Sequence, residues 1–317
     1  MGELSKYVGE VGEGIGKTFF DIIGWKFSFE NDSIVCMKKE KHARGKTKQR
    51  LTHGIDRAFS YISKVESQTI QNVFISCKNT FDKYPANPVT KFKEHIDDLI
   101  IGMECFKYSQ IRKDLVSIHS GISNSNDVGL LFWISCHEDT YDNVIEKVKN
   151  CRIESDYQYG TLYIVDNSTI NFHIKSIDHI NKKFKDYVWS YYIPETSVSY
   201  GDNTITKRTK ILPIEFINTP FLYFVLDSKI NKQEQPKFLI ITKDSFDETT
   251  LSLYVNAARQ LTNELTNDFI FAFPDFNSLK DQSVVSKIKM MQPEDLPIEI
   301  SVTNYNNQGV RELYDGK

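Results

Sequence analysis

Long apolar runs are missing from this chain of 317 residues, and none approaches the roughly 20 residues that cross a bilayer. The first residues also lack the apolar core of a secretory signal peptide. We therefore expect no membrane attachment and a cytoplasmic location. With 40% hydrophobic and 26% charged residues, the composition is that of an ordinary globular protein.

Cysteine is scarce: the chain has five, an odd number, and no pair has CxxC spacing. This pattern argues against a disulfide framework and against the common short-spaced zinc modules. The five are Cys36, Cys77, Cys105, Cys136 and Cys151. Several lie in apolar segments, so we interpret them as reduced thiols of the core and not as a zinc site.

An overall excess of positive charge is also absent, because the net charge is −3. Residues 38–50 nevertheless carry a net charge of +6, which leaves −9 on the rest of the chain. The basic residues of this segment are Lys38, Lys39, Lys41, Arg44, Lys46, Lys48 and Arg50. Such a local cluster is sufficient for contacts with phosphates, so we predict that it binds DNA or RNA. The alternative is a solvated loop.

Helical periodicity marks the start of the chain, where apolar residues recur at Val8, Val11, Ile15, Phe19 and Ile22. Glycines at positions 9, 12 and 16 lie along one edge of this stripe, which predicts that another element packs very close to that edge. Glu13 projects just past the glycines. It is either the functional acid of this helix or one half of a surface pair with Lys17.

The segment from Gly12 to Thr18, GEGIGKT, superficially resembles a phosphate-binding loop. The GxxxxGK[ST] pattern requires a glycine at position 11, where Val11 stands, and a buried strand before it. The helical pattern leaves no room for that strand. We therefore do not expect nucleotide binding here.

Two predicted strands carry the residues most typical of chemistry. Asp56 lies near the start of the strand 55–62, and Lys78 ends the strand 73–78. A carboxylate can bind a divalent metal, and a nearby cation can stabilise charge on a phosphate or orient an attacking water. The alternative is a buried ion pair between neighbouring strands, but such pairs are expensive to bury. Cys77 points away from Lys78 on a strand, so we interpret it as a core thiol.

The order of these features resembles the PD-(D/E)xK nucleases, in particular the Mrr-like restriction enzymes. It runs from a helix with Glu13 through a strand, the basic segment, His53-Gly-Ile-Asp56 and Ser76-Cys77-Lys78 to Asn-Pro and a helix over 88–107. The resemblance implies an α/β protein. Its first 150 residues would be a restriction-endonuclease-like domain, a mixed sheet flanked by helices, that cleaves DNA with Mg²⁺ or Mn²⁺.

The resemblance also implies roles for individual residues. Asp56, Glu13 and the backbone carbonyl of Cys77 are the expected metal ligands, and Lys78 is the catalytic cation. His53 and Ser76 are expected to contact substrate. In more detail the chain resembles the nuclease subunit of a two-gene antiphage defence system, which implies a companion subunit and a homodimer or hetero-oligomer.

Ser76 departs from the family pattern, which has a metal-binding acid or glutamine two residues before the lysine. A serine hydroxyl is a poor ligand for a hard cation. Glu13 could supply the missing charge, or an acid could have moved to the following helix, where Glu94 is the local candidate. Glu94 lies opposite the apolar stripe of that helix, which favours a solvent position. Alternatively, the site is degenerate and the chain binds DNA without cutting it.

We expect residues 151–317 to form a second α/β region. We recognise no catalytic constellation in its sequence, and we expect it to bind a partner. Strands are predicted at 128–136, 161–165, 170–174, 188–193, 221–227, 237–242 and 267–273, and helices at 141–149, 177–184 and 249–266.

Three functions remain open for the chain: a metal-dependent DNA endonuclease, an inert DNA-binding scaffold, and a nuclease that acts on RNA.

Overall fold

The computed structural model describes residues 2–43, 49–137, 143–153, 156–194, 207–262, 265–293 and 298–306, with side chains of the first helix described from Gly12 onward. The chain divides into two compact units. One comprises residues 1–171 and 213–218, and the other comprises residues 172–212 and 219–317. The division falls beyond the boundary predicted near residue 150, since the strand at 162–165 belongs to the first sheet.

The first unit is built on a five-stranded mixed sheet with the order β1-β2-β3-β4-β5. Its strands are β1 (Phe29–Val35), β2 (Thr52–Ile62), β3 (Thr69–Thr80), β4 (Asn124–Ser135) and β5 (Leu162–Val165). Its helices are α1 (Gly2–Ile22), α2 (Val89–Phe106), α3 (Gln110–Ser117) and α4 (Val144–Val148). The first three strands are antiparallel, while β4 is parallel to both β3 and β5.

Helices cover both faces of this sheet. On one face, Phe20 of α1 packs against Phe132 of β4 with ring centroids 4.9 Å apart. On the other, Phe106 of α2 packs against Phe74 of β3 at 5.3 Å. Because the central parts of β3 and β4 are covered on both sides, residues 73–75 and 128–134 form continuous apolar runs within these strands.

The helical stripes are confirmed with one shift. The six apolar residues that form the stripe of α2 are all buried: Phe92, Ile96, Leu99, Ile100, Met103 and Phe106. In α1, Phe19 and Phe20 are fully buried, whereas Ile15 is 37% exposed. The packed side of α1 is therefore rotated toward the glycines, and Gly12 and Gly16 are both buried. Since residues 12–18 are continuous helix, they do not form a phosphate-binding loop.

The second unit contains a six-stranded mixed sheet with the order β11-β10-β9-β8-β6-β7. Its strands are β6 (Tyr187–Tyr192), β7 (Arg208–Thr209), β8 (Phe221–Ser228), β9 (Lys237–Thr242), β10 (Asp268–Phe273) and β11 (Glu299–Asn304). Helix α5 (Asn167–Lys183) contains the division between the units, and α6 (Glu248–Thr262) and α7 (Ser278–Met290) belong to the second.

The strand predicted at 170–174 is wrong, because this segment lies inside α5. The buried carboxylate of Asp166 accepts hydrogen bonds from the backbone N–H and the hydroxyl of Thr169, and this side chain starts the helix. Among the residues that the structure describes, no helix is both long and apolar enough to cross a membrane.

Candidate active site

Strand β2 is irregular at Asp56, the predicted metal ligand. The β1–β2 pairing joins Glu30 to Arg57 and Asp32 to Ile55 but skips Asn31 and Asp56, and Asn31 has a φ of +52°. Side chains alternate along a regular strand, yet Ile55 and Ala58, three residues apart, pack into the same core. The irregularity therefore breaks the regular alternation between Ile55 and Ala58, the stretch that contains Asp56.

The Asp56 carboxylate is held by the neighbouring strand. Its Oδ2 accepts a hydrogen bond from the backbone N–H of Cys77 at 2.6 Å. The β2–β3 ladder reaches Arg57 opposite Ile75, so the next position of β3 places Ser76 beside Asp56. The Cys77 backbone thus takes part in the site through its N–H, which fixes the orientation of the carboxylate. Metal ligation by the Cys77 carbonyl stays a prediction.

A pocket of about 210 Å³ brings Glu13, Asp56 and Lys78 together. It is lined by Gly12, Glu13, Gly16, Asn31, Asp56, Arg57, Cys77, Lys78, Asn79, Phe132 and Ile134. Helix α1 forms one wall, and residues of β1, β2, β3 and β4 form the rest. The pocket therefore combines two carboxylates with two cationic side chains, a set that suits an anionic substrate and a hard metal ion.

Glu13 reaches the pocket because α1 is fastened to the sheet beside it. Arg57, which is buried, donates from Nη2 to the backbone oxygen of Glu13 at 3.3 Å, and its guanidinium carbon lies 5.0 Å from the centre of the Phe27 ring. A methyl group at Gly12 would lie 1.9 Å from Asn79 Nδ2. The close approach predicted from the glycines is therefore confirmed at Gly12.

Lys78 is partly exposed and loosely paired. Its Nζ lies 4.0 Å from Asp98 Oδ2 on α2, and its side chain is 29% exposed. Arg50 also contacts Asp98, at 3.1 Å. A pair at 4.0 Å with partial solvent exposure is weak, so Lys78 can turn toward a phosphate at little cost.

Burial and nearby charges change the pKa of the Cys77 thiol. Burial and the nearby carboxylate of Asp56 raise the pKa of Cys77 to about 12, although Arg57 and Lys78 act in the opposite direction. The raised pKa favours the neutral thiol. Cys77 is half-buried and lines the pocket together with Lys78, so it is not the core thiol that the sequence predicted.

Comparison with known families identifies the class of the domain that contains this pocket. Residues 1–169 match the model of the GAPS4 protein PD-(D/E)XK nuclease domain. The chain belongs to this family. Because the matching model is a PD-(D/E)XK nuclease domain, the restriction-endonuclease-like fold and the nuclease class inferred from the Asp56–Lys78 pattern are both confirmed. The family comes from antiphage defence systems. No curated protein matches the chain.

The basic segment of this nuclease domain is only partly directed toward solvent. Lys38 and Lys41 donate to Glu104 of α2 at 2.8 and 3.2 Å, and Arg50 is paired with Asp98. Lys39 is exposed. The predicted phosphate contacts at positions 44, 46 and 48 fall outside the described residues. Lys38, Lys41 and Arg50 therefore fasten the segment to α2, a role that its charge alone did not indicate.

Two expected substrate contacts lie elsewhere. His53 is 1% exposed, and its Nε2 lies 3.3 Å from Nδ1 of His42 in a buried cluster, so its ring does not face a substrate. Ser76 does not line the pocket. Glu94 is exposed and paired with Lys91 at 2.8 Å, as the α2 stripe predicted. Glu94 is not among the residues that line the pocket, whereas Glu13 and Asp56 are.

Sequence reasoning missed Arg57, Asn79 and Asp98. Arg57 had a detectable signal, because an arginine between Ile55 and Phe59 in an apolar strand requires a buried partner. Asn79 follows Lys78 directly and packs against Gly12, a contact that no local pattern reveals. Asp98 depends on the position of α2 against β3, which the sequence does not encode locally.

Proposed function

We propose that this chain is a divalent-metal-dependent DNA endonuclease whose active site is the pocket of Glu13, Asp56 and Lys78. The observation that carries the proposal is their convergence in one cavity of about 210 Å³, although they come from three separate elements. A charged pocket of this kind at a sheet end is costly for stability and is expected where a fold performs chemistry.

The residues present fit a hard cation. Asp56 and Glu13 offer carboxylate oxygens on the same pocket, and Mg²⁺ is commonly bound through one or two carboxylates together with waters and substrate phosphates. A bound divalent ion supplies Lewis-acid polarisation of the phosphate and a more acidic water. The serine at position 76 is compatible with this arrangement, because two carboxylates are sufficient for Mg²⁺.

The side chains of the pocket have separate tasks in this proposal. The N–H of Cys77 keeps the Asp56 carboxylate oriented, and Arg57 holds the Glu13 segment of α1 in place. Lys78 stabilises the negative charge that develops on the phosphate or orients the attacking water. The loose contact of Lys78 with Asp98 leaves it available for this task.

We further propose that DNA is the substrate and that the chain acts with a companion protein. Membership of an antiphage defence family supports both proposals. The second unit offers exposed apolar side chains for a partner, including Leu279 at 95% and Met290 at 85% exposure on α7. Co-purification with the product of a neighbouring gene tests the partner, and light scattering distinguishes a homodimer from a hetero-oligomer.

The activity is tested by incubating supercoiled plasmid with the chain, alone and with its neighbour's product, in Mg²⁺ or in EDTA. We expect nicking or linearisation only in Mg²⁺. Excess unlabelled RNA should leave the rate unchanged, whereas excess linear DNA should lower it. Binding without cleavage under every condition would favour the inert scaffold, and competition by RNA alone would favour an RNA-directed nuclease.

A further inference from the structure

Two cysteines and two histidines of the nuclease domain converge in its interior. Cys36, His42, His53 and Cys105 each offer one ligand atom, and these four atoms all lie within 4.8 Å of one another. Each residue is at most 2% exposed. They come from the end of β1, the segment after it, the start of β2 and the end of α2, so only the folded chain assembles them.

The centre of the cluster is Nδ1 of His42. It lies 3.3 Å from Cys36 Sγ, 3.5 Å from Cys105 Sγ and 3.3 Å from His53 Nε2. A ring nitrogen has one in-plane lone pair or one N–H, so it can form one good hydrogen bond and not three. Hydrogen bonding alone therefore gives an incomplete account of this convergence, whereas a cation between the four atoms would satisfy them all.

The distances from His42 Nδ1 to the other three ligand atoms suit tetrahedral coordination. With zinc–nitrogen and zinc–sulfur bonds of about 2.0–2.1 and 2.3 Å, a regular tetrahedron places its ligand atoms roughly 3.3–3.8 Å apart. The three distances around His42 Nδ1 fall at the lower end of this range. Two thiols and two imidazoles are soft or borderline ligands that favour zinc over magnesium.

An outer layer of contacts orients the central histidine. His42 Nε2 lies 2.7 Å from Glu104 Oε2, which is the carboxylate–histidine arrangement that commonly supports a metal-bound imidazole. Glu104 is itself held by Lys38, Lys41 and the backbone N–H of Gln158.

We propose that Cys36, His42, His53 and Cys105 form a structural zinc site. All four positions are filled by protein side chains, as in structural and not catalytic zinc centres. The ion joins both ends of the basic segment to α2, since Cys36 and His42 precede residues 44–48 and His53 follows them. This assignment replaces the expectation that Cys36 and Cys105 are simple core thiols, and it does not depend on the proposed nuclease activity.

The test is the metal content of the purified full chain, measured by inductively coupled plasma mass spectrometry after dialysis. We expect about one zinc per chain in the native protein and in Cys136→Ser, a control cysteine outside the cluster. Cys36→Ser and Cys105→Ser should lose most of it. Asp56→Asn should keep it, which separates this site from the nuclease pocket.

Cobalt substitution decides the case if the cysteine variants do not fold. The native chain reconstituted with Co²⁺ should show the intense visible bands of tetrahedral thiolate coordination. The proposal is overturned if the native chain binds neither zinc nor cobalt after reconstitution. It is equally overturned if Cys36→Ser and Cys105→Ser fold and bind zinc as well as Cys136→Ser does.

Discussion

Strand β2 contributes to two sites of opposite character. His53 lies in a cluster whose members are at most 2% exposed, while Asp56, three residues later, opens onto a pocket. In the cluster, polar groups converge on one another and an outer layer supports them. In the pocket, Lys78 forms a loose ion pair with Asp98 at 4.0 Å.

This difference is the one expected between the proposed structural site and the proposed active site. A closed set of ligands has no position left for a substrate, so its contribution is to stability and placement. An open pocket with weakly paired charges keeps its groups available to a ligand, at some expense in stability. One strand can serve both sites because residues three apart, such as His53 and Asp56, face opposite sides of a sheet.

The largest effect is expected at Asp56. Asp56→Asn keeps an acceptor for the Cys77 N–H but removes the charge, so cleavage of plasmid DNA in Mg²⁺ should fall about a thousandfold. The zinc content and the thermal midpoint should stay near those of the native chain. Cleavage at the native rate would show that the open pocket is not the active site.

A smaller loss is expected at Glu13. Glu13→Gln should lower the cleavage rate by about 10–100-fold, because this acid supports the metal or its water. The matched variant Glu94→Gln should stay within about twofold, since Glu94 is exposed and paired only on the surface of α2. Rates from a gel assay under single-turnover conditions check the pair. Complete loss at Glu94 with native activity at Glu13 would reverse the assignment of the second acid.

The wall of the pocket predicts a difference between two glycines of α1. A methyl group at Gly12 meets Asn79 at 1.9 Å, so Gly12→Ala should destabilise the chain by about 1–3 kcal/mol and displace Glu13. A methyl group at Gly14 would meet no atom of the described residues within 4 Å, so Gly14→Ala should stabilise the chain by up to about 1 kcal/mol. Urea unfolding midpoints measure both. Equal stability of the two variants would contradict the close packing of α1 on β3.

The nuclease pattern could be predicted from sequence because its signals are local. Asp56 lies near the start of one predicted apolar strand and Lys78 at the end of the next, and Glu13 lies beside a row of glycines. Regular segments were also readable: β9 occupies residues 237–242 as predicted, and the apolar stripe of α2 is buried throughout. These elements are marked by side-chain periodicity, which depends only on neighbouring residues.

The remainder depends on contacts between distant residues. His42 and Cys105 are 63 positions apart, so no spacing rule joins them. Sequence spacing alone therefore does not mark the cysteines as metal ligands. The same cause misplaced His53, whose neighbour Asp56 suggested a substrate contact. The strand predicted at 170–174 is wrong for a local reason. Asp166 and Thr169 form a helix cap, and this start signal outweighs the β-branched residues that follow it.

The most direct measurement compares Lys78→Ala with Lys91→Ala in the Mg²⁺-dependent plasmid assay. Both variants remove one lysine, but Lys78 lines the pocket and Lys91 lies on the exposed side of α2. We predict that Lys78→Ala lowers cleavage by at least about a hundredfold while Lys91→Ala cleaves at the native rate. Equal cleavage by the two variants would contradict the assignment of this pocket as the site of phosphodiester hydrolysis.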